Sequence, residues 1–309
     1  MSDIILHHYP NSPFSEKIRL ILGYKKLAWK SIIIPVIMPK PNVIALTGGY
    51  RRTPIMQIGA DIYCDTALMA DVLERIAPTP TVYPKATEGL ARTLAQWADS
   101  NLFWTMITHR FQPAGVQSAL GGMTAEQIKA FTADRAAFRA NVPRMPLPEA
   151  TGTLKEYFRR LEDMFSGGNV FLLGDAPSIA DFSVYHSVWF LQGAPAVADV
   201  LDVAPRLKEW ATRMAAFGHG SFDKMSAEAA LEVARSSKAA STEGQPFVDY
   251  HGVALGERVA VMPSDYGMDP VEGELVISTD NEFAVRRNDP LAGTVVVHFP
   301  RVDFQLKKA

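Results

Sequence analysis

Apolar positions along this chain change their spacing several times, and each change marks an element. Ile4, Ile5 and Leu6 make the short continuous run of a buried strand. Phe14, Ile18, Ile21 and Leu22 then recur at i, i+4, i+7 and i+8, which is one face of a helix. Ile32 to Ile34 predicts a second strand, residues 42–46 a short helix, and 55–58 and 62–64 two strands across the Gly59-Ala60-Asp61 turn. Leu68, Met69, Val72, Leu73 and Ile76 predict a helix over 66–76. The order is βαβαββα. Three prolines between Pro78 and Pro84 deny both helix and central strand and read as a linker.

From Glu88 to about Ser236 the pattern is helical, with Leu94, Trp97, Ala98 and Leu102 on one helix, Leu154, Phe158, Leu161 and Phe165 on another, and Leu207, Trp210 and Met214 on a third. Thr124 with Gln127, and Thr153 with Glu156, have the spacing of reciprocal capping boxes. Between the first two helices, Pro113, Gly115, Gly121, Gly122, Met123 and Pro143 to Pro148 form a segment longer than a helix connection needs, a candidate lid. A small polar run, Ser236 to Gly244, reads as a flexible connector. Beyond it, Val259 and Val261, Leu275 and Ile277, Phe283 and Val285, and Val295 and Val297 alternate as strands, predicting a small β-barrel or sandwich. The expected architecture is therefore multi-domain: an α/β domain over 1–80, an all-α domain over 86–236 and a small all-β domain over 245–309.

Composition narrows the function classes. The 309 residues carry a net charge of −2, and residues 245–309 hold six basic against ten acidic side chains, so neither the chain nor its β domain carries a nucleic-acid footprint. No N-terminal stretch joins a basic start to an apolar signal core, so a cytoplasmic protein without a membrane partner is expected. The single cysteine, Cys64, precludes an internal disulfide and a paired-cysteine redox or zinc motif, and reads as a small buried hydrophobe. No metal site is expected.

The chemistry concentrates in His8-Tyr9-Pro10-Asn11-Ser12-Pro13-Phe14-Ser15-Glu16. Pro13 suits the first helical position, which makes Ser12 the N-cap, its hydroxyl proton free to donate and the positive end of the helix dipole aimed at the same place. Together with Thr53-Pro54 before a strand, Asp65-Thr66 where a strand hands over to a helix, and Gly174-Asp175-Ala176-Pro177-Ser178-Ile179-Ala180-Asp181 downstream, this pattern resembles the glutathione transferase family over residues 3–235. The resemblance implies a thioredoxin-like N-terminal domain, an all-helical C-terminal domain, glutathione as co-substrate, a homodimer and the conjugation, as in detoxification, of a small electrophile.

It also implies residue roles. Ser12 stands where serine-type members carry the hydroxyl that stabilises the glutathione thiolate. Ser15 and Tyr9 are alternatives, Tyr9 lying one residue beyond the place of the tyrosine-type phenol, where His8 stands. Thr53 and Pro54 match the cis-proline element that meets the glutathione cysteine. Asp65 and Thr66 match the acid and hydroxyl pair for the γ-glutamyl end, usually Glu and Ser, with the acid here one methylene shorter. Lys40, Arg51 and Arg52 are candidates for the glycyl carboxylate. Ser178 and Asp181 match a folding motif, whose loss should cost roughly 1 kcal/mol or more of stability. Phe103, Trp104, Met106, His109, Arg110 and Phe111 lie on the helix expected to face the acceptor, an apolar electrophile with some anionic character; His109 by itself reads as structural. A non-catalytic ligand-binding protein of the same fold, a glutathione-dependent lyase or isomerase, and an interaction protein working through its β domain are the other readings the residues allow.

Overall fold

A computed structural model describes residues 2–139, 142 and 144–309. The first seventy-odd residues fold as their period predicts: β1 (Ile4–His8), α1 (Pro13–Tyr24), β2 (Ala28–Ile33), α2 (Pro41–Thr47), β3 (Ile55–Ile58), β4 (Asp61–Cys64) and α3 (Thr66–Ile76). β1 pairs parallel with β2 and antiparallel with β3, and β3 pairs antiparallel with β4, the thioredoxin-like arrangement. Side chains of these strands alternate between two cores. Ile4, Leu6, Met56 and Tyr63 face α1, α3 and the helical domain. Ile5, Ile55, Ile62 and Cys64 face α2 and the C-terminal strands. Cys64 is fully buried, and burial pushes its thiol well above the ordinary value, as expected of a packing residue.

The helical region comprises α4 (Glu88–Trp97), a π-helical stretch (Ala98–Leu102), α5 (Phe103–Arg110), α6 (Pro113–Leu120), α7 (Ala125–Arg139), α8 (Leu147–Asp163), α9 (Ile179–Gln192), a 3₁₀ stretch (Pro195–Val203) and α10 (Pro205–Ala215). The expected lid is largely helical. Pro113 starts α6, and Gly115 is required there because a Cβ would overlap the Arg110 carbonyl. The Thr124 and Gln127 capping box is formed in both directions, at 2.9 and 3.2 Å. Thr153 and Glu156 form none, because α8 begins earlier, at Leu147 with Pro148 in its first turn, and Thr153 lies inside it. Pro143 lies outside the described residues.

Asp181 is the polar pin of this region. Fully buried, it accepts from the Ser178 backbone (2.8 Å) and hydroxyl (3.0 Å), the Leu172 backbone (2.9 Å) and the Trp210 indole (3.0 Å). Removing it strands four donors in the core. Asp181→Ala is expected to lose more than the roughly 1 kcal/mol of a cap alone, about 3 kcal/mol, read from the denaturant midpoint.

The greatest departure from expectation lies beyond α10. Residues 221–224 form a strand, β5, within the region expected to be all helical, and it extends the sheet parallel to β2 with Phe222 packed on Trp29. Helix α11 (Ala227–Ser236) buries Ala230, Leu231 and Ala234 in the second core. The strands β6 (Arg258–Pro263), β7 (Val271–Ser278), β8 (Glu282–Asp289), β9 (Gly293–Pro300) and β10 (Phe304–Lys308) build no separate barrel or sandwich. They form an antiparallel run whose last neighbour, β9, pairs parallel with β4, giving one ten-stranded sheet in the order β10-β6-β7-β8-β9-β4-β3-β1-β2-β5. The physical reason is the β4 edge, whose free backbone groups β9 satisfies, while Val259, Leu275, Phe283, Val297 and Phe304 close over the same core as α2.

His298 clamps this seam. Its Nε2 lies 3.0 Å from Asp61 of β4 and its Nδ1 2.6 Å from Glu282 of β8, with the ring stacked 4.6 Å from Tyr63. Burial disfavours the charged imidazole, but the two carboxylates outweigh it and raise the pKa above the ordinary 6.5. A raised folded pKa supplies stability that is complete below about 6.5 and is lost as pH rises through the folded value. Stability should therefore fall with rising pH from neutrality by at most about 1.4 kcal/mol per pH unit, and His298→Gln should flatten that slope in pH-dependent denaturant titrations.

Candidate thiol and acceptor site

Ser12 caps α1 from an extended backbone (φ −82°, ψ 121°), and its Oγ accepts from the Ser15 N–H at 3.2 Å. The hydroxyl lies at the wall of a cavity of about 1110 Å³ and is almost wholly buried. The loop that presents it is held from below: Arg19 donates to the Tyr9 carbonyl (3.4 Å) and the Pro10 carbonyl (2.8 Å) and pairs with Glu16 (2.6 Å). Ser15 is buried, its Oγ without a partner among the described residues, and it does not line the cavity. Tyr9 lines it; burial pushes its phenol pKa up, against the Arg135 charge and the Ser12 hydroxyl beside it. His8 bonds to Ser31 (2.9 Å) and Arg19 (3.0 Å), and burial together with that guanidinium lowers its pKa to about 3, so it is neutral and turned away.

Thr53-Pro54 is a cis peptide. Lys40 donates to the Thr53 hydroxyl at 3.2 Å and lines the cavity, and burial and Arg135 lower its pKa to about 8. Asp65 caps α3 at φ +75°, a backbone region that a non-glycine residue adopts only when its surroundings hold it there, and it accepts from the Ala67 N–H at 2.9 Å. Burial raises its pKa, opposed by Arg52, whose guanidinium is 4.0 Å away. Thr66 accepts from Lys17 at 3.2 Å. Lys17, almost inaccessible, also donates to Asp99 at 2.6 Å, and Asp99 meets His186 at 2.9 Å.

The two arginines are committed elsewhere. Arg51 pairs with Asp134 of α7 at 2.9 Å. Arg52 donates to Asp265 and to the Tyr266 carbonyl (2.6 and 3.2 Å), with the Tyr266 ring 3.8 Å over its guanidinium. Tyr266 and Asp265 come from the C-terminal sheet, 214 and 213 residues from Arg52, and no local pattern announced them.

α5 forms one wall of the large cavity through Phe103, Trp104, Arg110 and Phe111, whereas Met106 is core and His109 is satisfied by Thr151 (2.9 Å) and the Val197 carbonyl (3.0 Å). α6 and α7 supply the facing wall, including Phe131, Phe138 and Arg139, which the sequence pattern did not single out. Among the described lining residues there are Lys40 and several arginines but no carboxylate. Buried Arg110 stacks 4.0 Å over Phe190, donates to its carbonyl at 2.7 Å, and leaves Nη1 without a partner among the described residues. Burial lowers its pKa. Among the described residues no three His, Cys, Asp or Glu side chains gather as a metal site, and no helix is long and apolar enough to cross a membrane.

A thioredoxin-like layer, an all-helical region and a cavity lined by Ser12 and Thr53 define the class of fold. The family description "Glutathione S-transferase, N-terminal domain" matches residues 6–81, and "Glutathione S-transferase, C-terminal domain" matches 132–213. A GST-like protein from Pseudomonas syringae is 43% identical, superimposes with a TM-score of 0.85 and covers 100% of both chains, the C-terminal strands included. A glutathione S-transferase from Rhodospirillum rubrum (17% identity, TM-score 0.52, 69% of this chain and 87% of that one) shares the fold. So does a Tau class glutathione S-transferase from mango (16%, 0.51, 69% and 89%). No curated protein matches. The chain belongs to the glutathione S-transferase family.

Proposed function

We propose that this protein is a serine-type glutathione transferase, with Ser12 stabilising the thiolate. The observation that carries the reading is the Ser12 cap: its Oγ lone pair is engaged by the Ser15 N–H, which leaves the hydroxyl hydrogen to donate into the cavity. A thiol near an ordinary pKa of about 8.5 is mostly protonated at neutrality. One charge-assisted hydrogen bond and the end of the α1 dipole lower it by about two units, roughly 2.7 kcal/mol. The thiolate then attacks the electrophilic carbon of an acceptor lying against α5, α6 and α7; a new carbon–sulfur bond forms and the leaving group departs with its electron pair. Thr53 and Pro54 would meet the glutathione cysteine and Lys40 its glycyl carboxylate, while Asp65 and Thr66 stand where the resemblance puts the γ-glutamyl end, with Lys17, Ala67 and Arg52 as their present partners. Arg52, clamped by Asp265 and Tyr266, is reassigned from the glycyl end to the wall of the site.

The aromatic lining, the lack of a carboxylate among the described lining residues, and Lys40 and the Arg110 Nη1, which has no partner among the described residues, favour an apolar acceptor bearing an anionic group. The reading includes a cytoplasmic homodimer, which sedimentation would test. Ultraviolet absorbance of bound glutathione against pH tests the chemistry. A thiolate titrating well below the free thiol supports the transferase, whereas glutathione bound with an unshifted thiol leaves the non-catalytic binding reading.

A further inference from the structure

The recess in front of Asp65 and Thr66 is small and shallow. Its volume is about 30 Å³, room for roughly one or two waters and too little for an amino-acid end carrying an ammonium and a carboxylate. Arg52, Thr53, Phe14 and Tyr266 line both this recess and the large cavity, so they are the wall between the two. Of these, only Tyr266 comes from the C-terminal sheet. It is carried on the turn between β6 and β7, which crosses to the helical domain: the Gly267 N–H donates to the Phe138 carbonyl at 2.9 Å, and the Tyr266 ring meets Trp104 and Phe138 edge-on at 4.9 and 5.2 Å. Gly267 adopts φ +57°, and a Cβ there would stand 2.6 Å from the Phe138 ring, so the turn fits this place only with glycine. The polar groups behind the recess are already partnered: Thr66 by Lys17, Asp65 by Ala67 and Arg52.

We propose that Tyr266 is a specificity-determining residue of the thiol site: with Arg52 held beneath it, it fills the γ-glutamyl recess and makes the site read the cysteinyl and glycyl part of its thiol. The substrate class is a cysteinyl thiol with a free C-terminal carboxylate, for which the γ-glutamyl group adds little. This rests on the thiol site proposed above and assigns the C-terminal sheet a part in it.

The test is calorimetric titration of the full chain with glutathione and with cysteinylglycine, for the wild type, Tyr266→Ala and Asp265→Ala. Asp265 is partly exposed, so its variant frees Arg52 without hollowing the core and serves if Tyr266→Ala does not fold. The wild type is expected to bind the two thiols within about threefold of each other, and Tyr266→Ala to favour glutathione by about tenfold or more, with Asp265→Ala in between. A wild type that already favours glutathione by about tenfold, or a ratio that the variants leave unchanged or lower, overturns the assignment and leaves the thiol site standing. Absence of binding of either thiol to every form overturns the thiol site and this assignment together.

Discussion

Ser12→Ala is expected to return the pKa of bound glutathione most of the way toward that of the free thiol and to cut kcat/KM about 10- to 100-fold near pH 6.5, with much less loss at pH 9. The range follows from one hydrogen bond to a charged group, about 1.5–3 kcal/mol. The pH dependence is what separates chemistry from folding. At pH 9 the free thiol is largely ionised without help, so the donor matters less. The same substitution removes the α1 N-cap and should cost about 1 kcal/mol of stability at either pH. Ser12→Thr keeps both the cap and the donor and should recover most of each. A rate loss of equal size at pH 6.5 and 9 would assign Ser12 to structure alone.

Lys17→Ala is expected to destabilise the protein by about 2–4 kcal/mol, the cost of emptying a buried side chain and leaving the half-buried Asp99 carboxylate without its cation. Lys17 comes from α1 of the thioredoxin-like layer, while Asp99 sits on the π-helical stretch and His186 on α9 of the helical domain, so their contacts at 2.6 and 2.9 Å fasten one domain to the other. Paired with Asp99→Asn, the loss should be smaller than the sum of the two single losses, because the orphaned charge is gone. Urea titration of the four forms completes the cycle. Additive losses would mean that the pair contributes nothing beyond packing. Since Lys17 also donates to Thr66 behind the recess, glutathione affinity in the variants is a second readout.

Elements resting on near neighbours were legible. The short apolar runs of β1, β3 and β4, the i, i+4, i+7 face of α1, Pro13 beside Ser12 and Ser178 beside Asp181 are all written within a few residues, and each forms where its pattern places it. Capping fails as a guide only at Thr153, where α8 begins earlier, at Leu147. Arg51 and Arg52 were legible as candidate anion ligands by residue type, but their partners were not. Asp134 and Asp265 are ordinary surface acids in sequence and become counter-ions only when α7 and the β6–β7 turn arrive.

Propensity, period and capping act over a turn or two of chain, and they were enough to place the thioredoxin-like order, the helical region, the strands at the end and the serine cap. Long-range packing alone put β9 on the edge of β4, residues 221–224 at the opposite end of the same sheet, and Tyr266 against the recess in front of Asp65 and Thr66. A sheet edge offers backbone N–H and C=O groups common to all residues but proline, so its partner is chosen by which distant strand buries its side chains there, and that choice leaves no mark in any local run of sequence.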